Sequence, residues 1–150
     1  MKKFQRFDLN LIGGLTCLLV ITKDNLKKIV SHAMREFPNE ACGIIAGRKV
    51  KDEKFVEKVY EVKNRAKSPF RYEMDPEEQL KVFQEVEKSS LEVLGFYHSH
   101  PHSNAVPSEM DKSLAFYEGF SYVIYSIPLK TFASFTWDGK NFNFEKIKVI

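Results

Sequence analysis

Apolar residues fall along the chain at two spacings, and these divide it into alternating elements. In "KDNLKKIVSHAMREF", residues 23–37, Leu26, Ile29, Val30 and Ala33 recur at helical spacing. Asp24 stands where an N-cap would, and the helix is expected to end near Pro38. "ACGIIAGRKV" and "KFVEKVYEVKN" read as two strands joined by a turn over residues 51–53. "RAKSPFRYEMDP" is a loop, and "PEEQLKVFQEVEKSS" is a helix with proline in its first turn and acids near its start. "LEVLGFYHSH" has the uninterrupted apolar character of a buried strand. A short helix is expected from Ser108 to about Tyr117, then strands at "SYVIYSI", "TFASFTW" and "NFNFEKIKVI". Residues 16–21 read as a further strand, preceded by an N-terminal extension over residues 1–15. Strands outnumber helices and no repeat or linker divides them, so the pattern predicts an α/β fold in which a mixed β-sheet is covered by helices.

Composition narrows the class. The chain has 150 residues, 43% hydrophobic and 29% charged, which are the values of one globular unit able to hold a rigid site without disulfides. A formal charge of +3, with lysines scattered along the sequence, argues against a nucleic-acid partner. The start "MKKFQRFDLNLIGGLTCLLVIT" has the outline of a signal peptide, but Asp8 and Asn10 interrupt it and no small-x-small cleavage site follows. The run from Leu11 to Ile21 is also short of the roughly 20 apolar residues that span a bilayer. Cys17 and Cys42 lack CxxC spacing and read as small buried hydrophobes in a reducing cytoplasm.

The chemistry concentrates in "FYHSHPHSNAVPSEMD", which holds three of the four histidines. His98 and His100 lie two apart at the end of a strand, so both imidazoles project to one face and can chelate one metal ion. Pro101 ends the strand, and the helix beginning at Ser108 brings Asp111 back toward the same space. Catalytic zinc takes three N, O or S ligands and leaves a fourth position to water, and His98, His100 and Asp111 form one such set. Structural alternatives stand beside this reading. The histidines can be hydrogen-bonded polar groups at a strand end, and Ser108 with Asp111 can form a helix cap. His102 breaks the strand alternation and reads as an exposed loop residue.

The joint pattern resembles the JAMM motif of the MPN+ (JAB) metalloprotease family: an upstream glutamate, then His-x-His-Pro, a gap, and Ser-x-x-Asp. The matching residues are Glu40, "HSHP" at 98–101 and "PSEMD" at 107–111, with ten residues between His100 and Asp111. "NEACGIIAG", with Gly43 and Gly47, is similar to the family's glutamate-to-strand segment. The resemblance implies a single-domain MPN/JAB fold over residues 16–150, a cytidine-deaminase-like three-layer sandwich. It also implies one Zn²⁺ per chain, held by His98, His100 and Asp111 with a bound water as fourth ligand. Glu40, which nothing local distinguishes, is then the general base and later acid, and Ser108 the oxyanion donor, a task that competes with capping.

The implied substrate is a ubiquitin-like or sulfur-carrier protein with a Gly-Gly tail, cleaved after that tail in the cytoplasm. Residues 70–74 are expected to offer an edge to which the tail adds as a strand. Two other readings carry the same fold: an inactive scaffold or ubiquitin-like binding module, and a metallopeptidase acting on cell-wall or phage-tail peptides. The first is weakened by the presence of all five motif residues. The second lacks a signal peptide or a fused hydrolase domain to support it.

Overall fold

A computed structural model describes residues 18–150. Its elements are β1 (Leu18–Ile21), α1 (Lys23–Glu36), β2 (Cys42–Val50), β3 (Glu53–Val62), α2 (Pro76–Lys88), β4 (Glu92–His100), α3 (Glu109–Leu114), β5 (Ser121–Ser126), β6 (Thr131–Trp137) and β7 (Phe142–Val149). The expected extension at 1–15 and Cys17 lie outside the described residues. No helix among the described residues is long and apolar enough to cross a membrane.

The cap of α1 differs from the expectation at Asp24. Thr22 is the N-cap: its backbone is extended and its hydroxyl accepts from the Asn25 N–H at 3.1 Å. Asp24 lies inside the first turn instead, where its charge meets the positive end of the helix dipole.

The sheet is mixed. β2 pairs antiparallel with β3 and β4, β4 runs parallel to β5, and β5, β6 and β7 form antiparallel pairs. Helices cover both faces, as the layered expectation requires. Because side chains alternate along β4, Tyr97 joins a core with Leu19, Ile45 and Val123 beneath Ile29 and Ala33 of α1. Phe96 joins the opposite core with Ile44, Tyr122 and Trp137, packed by Val82 and Phe83 of α2. The strand periodicity did not reveal that the sheet closes: β1 pairs in parallel with β3 on one side and β7 on the other. Gly95 lets β4 and β5 approach, since a Cβ there would overlap the backbone of Ser121.

Closure encloses a polar group of four side chains. Lys54 Nζ donates to Gly119 O and Ser121 Oγ, each at 2.7 Å, and lies 3.5 Å from Glu145 Oε2. Ser134 Oγ donates to Glu145 Oε1 at 2.6 Å, so β3, β5, β6 and β7 share one buried network. Removing one partner of a buried pair strands the other charge at a cost of about 3–5 kcal/mol, whereas replacing both with apolar residues of similar volume is close to neutral. Glu145→Ala is therefore expected to lower the urea-unfolding free energy by about 3–5 kcal/mol, and Lys54→Met/Glu145→Leu to recover most of it.

Candidate metal centre

The centre is built at the C-terminal end of β4. Residues 98 and 100 share a face of the pleat, and both imidazoles are 2% exposed. Ser99, between them, faces the other way: its hydroxyl accepts from the Ala41 N–H at 2.8 Å, and its own N–H donates to Ala41 O at 3.0 Å. That double tie fixes the chain immediately after Glu40 to the histidine strand.

Asp111 arrives from α3 through a capping box. Ser108 Oγ accepts from the Asp111 N–H at 3.0 Å, and Asp111 Oδ2 accepts from the Ser108 N–H at 2.8 Å. The same Oδ2 lies 3.2 Å from His98 Nε2 and 3.1 Å from His100 Nε2, and the two nitrogens are 3.1 Å apart. Ligand atoms about 2.0–2.1 Å from a tetrahedral centre stand about 3.3 Å from one another, so this donor triangle fits a zinc-sized cation. His100 Nδ1 lies 2.7 Å from Asn104 O, a partner that fixes the ring and turns Nε2 toward the donor group. Tyr72 packs on His98 with ring centroids 4.7 Å apart.

Capping and donation by Ser108 do not compete as the sequence reading supposed. The cap uses an acceptor lone pair of Oγ, and a hydroxyl keeps its one hydrogen for another acceptor. His102 stands exposed, outside the donor group, between Phe37 and Phe70 at centroid distances of 5.7 and 6.4 Å. The fourth histidine, His32, is on the buried face of α1 with Nδ1 2.7 Å from the Tyr97 hydroxyl. Cys42 is a free buried thiol, pushed well up by burial and by the charge of Glu40.

Glu40 is brought to the centre by its backbone. Its N–H donates to Ser68 O at 2.9 Å, and its C=O accepts from the Asn64 side chain at 2.9 Å. The carboxyl is 3% exposed, and Oε1 has no hydrogen-bond partner among the described residues. Burial, then the charge of Asp111, push it up to about 8 against a smaller opposing pull from His100. Asp111 moves the other way: burial raises it, but the charge of His98 and the hydrogen bonds from His100, His98 and the Ser108 N–H hold it well below the carboxylate range. For His100, burial lowers the imidazole, while the hydrogen bond to Asp111 and the Asn104 carbonyl raise it by more. Ser99 and Asn64 carry no signal in the sequence because each bonds the backbone of a distant segment, and the Asn104 carbonyl carries none because any residue type supplies that group.

Fold and donor set together define a class: a mixed-sheet α/β domain carrying a three-donor centre that could hold a metal ion, with a buried carboxyl beside it. The chain belongs to the prokaryotic homologs of the JAB domain, a family that matches residues 22–138. It is 36% identical to a desampylase of Haloferax volcanii, covering 83% of this chain and 91% of that protein. It is 37% identical to a CysO-cysteine peptidase of Mycobacterium tuberculosis, covering 75% and 76%. A solution structure of a protein from Desulfitobacterium hafniense superposes with a TM-score of 0.82 at 38% identity, over 88% of this chain and 92% of that one. A JAB1/MPN domain protein from Archaeoglobus fulgidus shares the fold, with a TM-score of 0.54 at 20% identity over 87% and 96%.

The Glu40 environment has a measurable signature in metal-stripped protein. Between its ordinary value of 4.5 and about 8 the folded chain keeps a proton that the unfolded chain has shed, so this group's contribution to stability declines as pH rises through that window. Thermal melts in chelator from pH 5 to 8 should show a steeper fall for wild type than for Glu40→Gln, which cannot titrate there.

Proposed function

We propose that the chain is a zinc-dependent peptidase or isopeptidase that hydrolyses the bond after the C-terminal Gly-Gly of a ubiquitin-like modifier or sulfur-carrier protein in the cytoplasm. The observation that carries this reading is the convergence of His98 Nε2, His100 Nε2 and Asp111 Oδ2, within 3.2 Å of one another, beside the buried carboxyl of Glu40. The substrate class rests on the relatives named desampylase and CysO-cysteine peptidase, and on a probable TtuB-protein conjugate cleaving protease of Thermus thermophilus, 36% identical over 63% of this chain.

His98, His100 and Asp111 would hold the Zn²⁺, which supplies Lewis acidity and a water of lowered pKa. Glu40 accepts a proton from the attacking water and delivers it to the departing amine. A carboxyl held near neutrality by burial suits both directions of that transfer. Ser108 keeps its cap and donates its hydroxyl hydrogen to the oxygen that becomes negative in the transition state.

The tail has a place to lie. Residues 70–74 form no strand of their own, and the segment is tied by an isolated bridge between Met74 and Asn64, just beyond the end of β3. Arg71 O and Glu73 N–H turn inward to the Asn64 side chain. The N–H and C=O of Tyr72 have no partner among the described residues, and they are the groups an incoming extended chain would pair with. Beside Tyr72 a cavity of about 220 Å³, lined by Met74, Phe96, Leu114, Phe116 and Tyr117, receives an apolar side chain of the tail.

Purified protein should carry about one zinc per chain, and His98→Ala should lose it while keeping its circular dichroism spectrum. Incubation with Gly-Gly-tailed ubiquitin-like fusions, read by mass spectrometry, tests the reaction. Glu40→Gln should retain zinc and lose about 10²-fold or more in turnover. Zinc loss in that variant would make Glu40 a ligand, and full activity would make it a bystander.

Ser108→Ala removes the cap and the donor together. The melting temperature should drop, as expected for about 0.5–2 kcal/mol, and turnover should fall about 10²–10³-fold. Ser108→Asp separates the roles, because aspartate caps but sets a negative charge against the oxyanion. A stable and active aspartate variant would remove Ser108 from the mechanism.

A further inference from the structure

A short cationic run lies in the loop that holds the backbone of Glu40. Between β3 and α2, Lys63, Arg65, Lys67 and Arg71 fall within nine residues that contain no acid, and all four side chains are exposed. Arg65 reaches Glu73 at 3.6 Å; Lys63, Lys67 and Arg71 have no carboxylate partner among the described residues. In their midst Phe70 is 71% exposed, in ring contact with His102.

This loop is held in one shape by a single side chain. Asn64, 6% exposed, donates to Glu40 O at 2.9 Å and Arg71 O at 3.2 Å, and its Oδ1 accepts from the N–H groups of Ala66 and Glu73, each at 2.9 Å. The framework that carries the cations is thus the framework that holds the backbone of Glu40. Three exposed cations without a carboxylate partner, on one loop with an exposed aromatic ring, offer a complementary surface for carboxylates, and such charges act mainly by steering encounter and fixing orientation.

We propose that residues 63–73 are a docking surface for the acidic face of a protein whose extended tail enters the centre, with Phe70 as the apolar contact. The inference rests on the tail-cleaving reading above and adds the electrostatic character of its substrate. The unpaired N–H and C=O of Tyr72 select a protein over a nucleic acid, because they match the backbone of an extended peptide and have no counterpart in a sugar-phosphate chain.

The test uses zinc-loaded Glu40→Gln protein, so that binding is read without turnover. The probes are a Gly-Gly-tailed ubiquitin-like domain with an acidic surface, the same domain with those acids changed to Asn and Gln, and a 20-nucleotide single strand of DNA. Lys67→Glu/Arg71→Glu should weaken calorimetric binding of the acidic domain by about tenfold or more at 50 mM salt, with most of the loss in the association rate. The effect should shrink at 300 mM salt and against the neutralised domain. Lys27→Glu/Lys28→Glu, on the exposed side of α1, makes the same charge change elsewhere and should shift affinity less than twofold. Equal binding of the two domains, an equal effect of the α1 variant, or preference for the DNA would overturn the proposal. Cleavage of Gly-Gly fusions by wild type is scored separately: charge-dependent binding without cleavage would sink the enzymatic reading alone, and cleavage with charge-independent binding would sink the docking surface alone.

Discussion

Asp111 Oδ2 is asked to satisfy two sets of partners at once. It closes the cap of α3 by accepting the Ser108 N–H at 2.8 Å, and it stands within 3.2 Å of both imidazole nitrogens. A carboxylate on a six-residue helix would otherwise be free to choose among rotamers. The cap removes that freedom, so the cost of aiming a ligand is met by a bond that helix initiation needs anyway. Ser108 and Asp111 cannot be divided into one structural residue and one site residue, because the Asp111 oxygen that closes the cap is the oxygen that faces the imidazoles, and the Ser108 oxygen that accepts in the cap still carries a hydrogen to donate.

The same economy recurs around Glu40. Its buried Oε1 has no hydrogen-bond partner among the described residues, yet the residue is held on both sides: Ser68 and Asn64 grip its own amide groups, and Ser99 grips the next. Positioning is thus delegated to the backbone, and the carboxyl is left with weak solvation and a high proton affinity. A side-chain hydrogen bond would have oriented the group more directly but would have favoured one protonation state. The loop that carries Phe70 and the cations is built on the same Asn64, so the proposed docking surface and the backbone of Glu40 share one support.

Local chemistry was largely readable in the sequence because it is repetitive over short spans. The His98 and His100 pair follows from the two-residue period of a strand, and Asp111 follows from the spacing of a capping box. Glu40 was identifiable only by resemblance, since its placement comes from its own contacts with residues 64 and 68 and from the tie between Ala41 and Ser99. Asp24 in place of Thr22 was an error of two residues between two good capping types, settled by which of them takes the extended backbone. The run of Lys63, Arg65, Lys67 and Arg71 is visible in the sequence, but its place beside Glu40 is set by Asn64, whose bonds reach residues 40, 66, 71 and 73. The pairing of β1 with both β3 and β7, and the buried Lys54 and Glu145 that go with it, depend on partners about 35 and 128 positions away along the chain, which no periodicity reports.

That last pairing has a consequence for how the protein comes into being. Leu18 pairs with Lys146, so the first described strand cannot complete its ladder until about 128 further residues have been made. At roughly 5–20 residues per second on a ribosome, β1 waits about 6–26 s for β7. During that interval Leu19, Val20 and Ile21, which end up buried, present an apolar strand with one side unpaired. Sealing of the sheet is therefore a long-range event in biosynthesis, and β1 stays exposed to chaperones and to like strands of neighbouring nascent chains until the eight residues of β7 emerge.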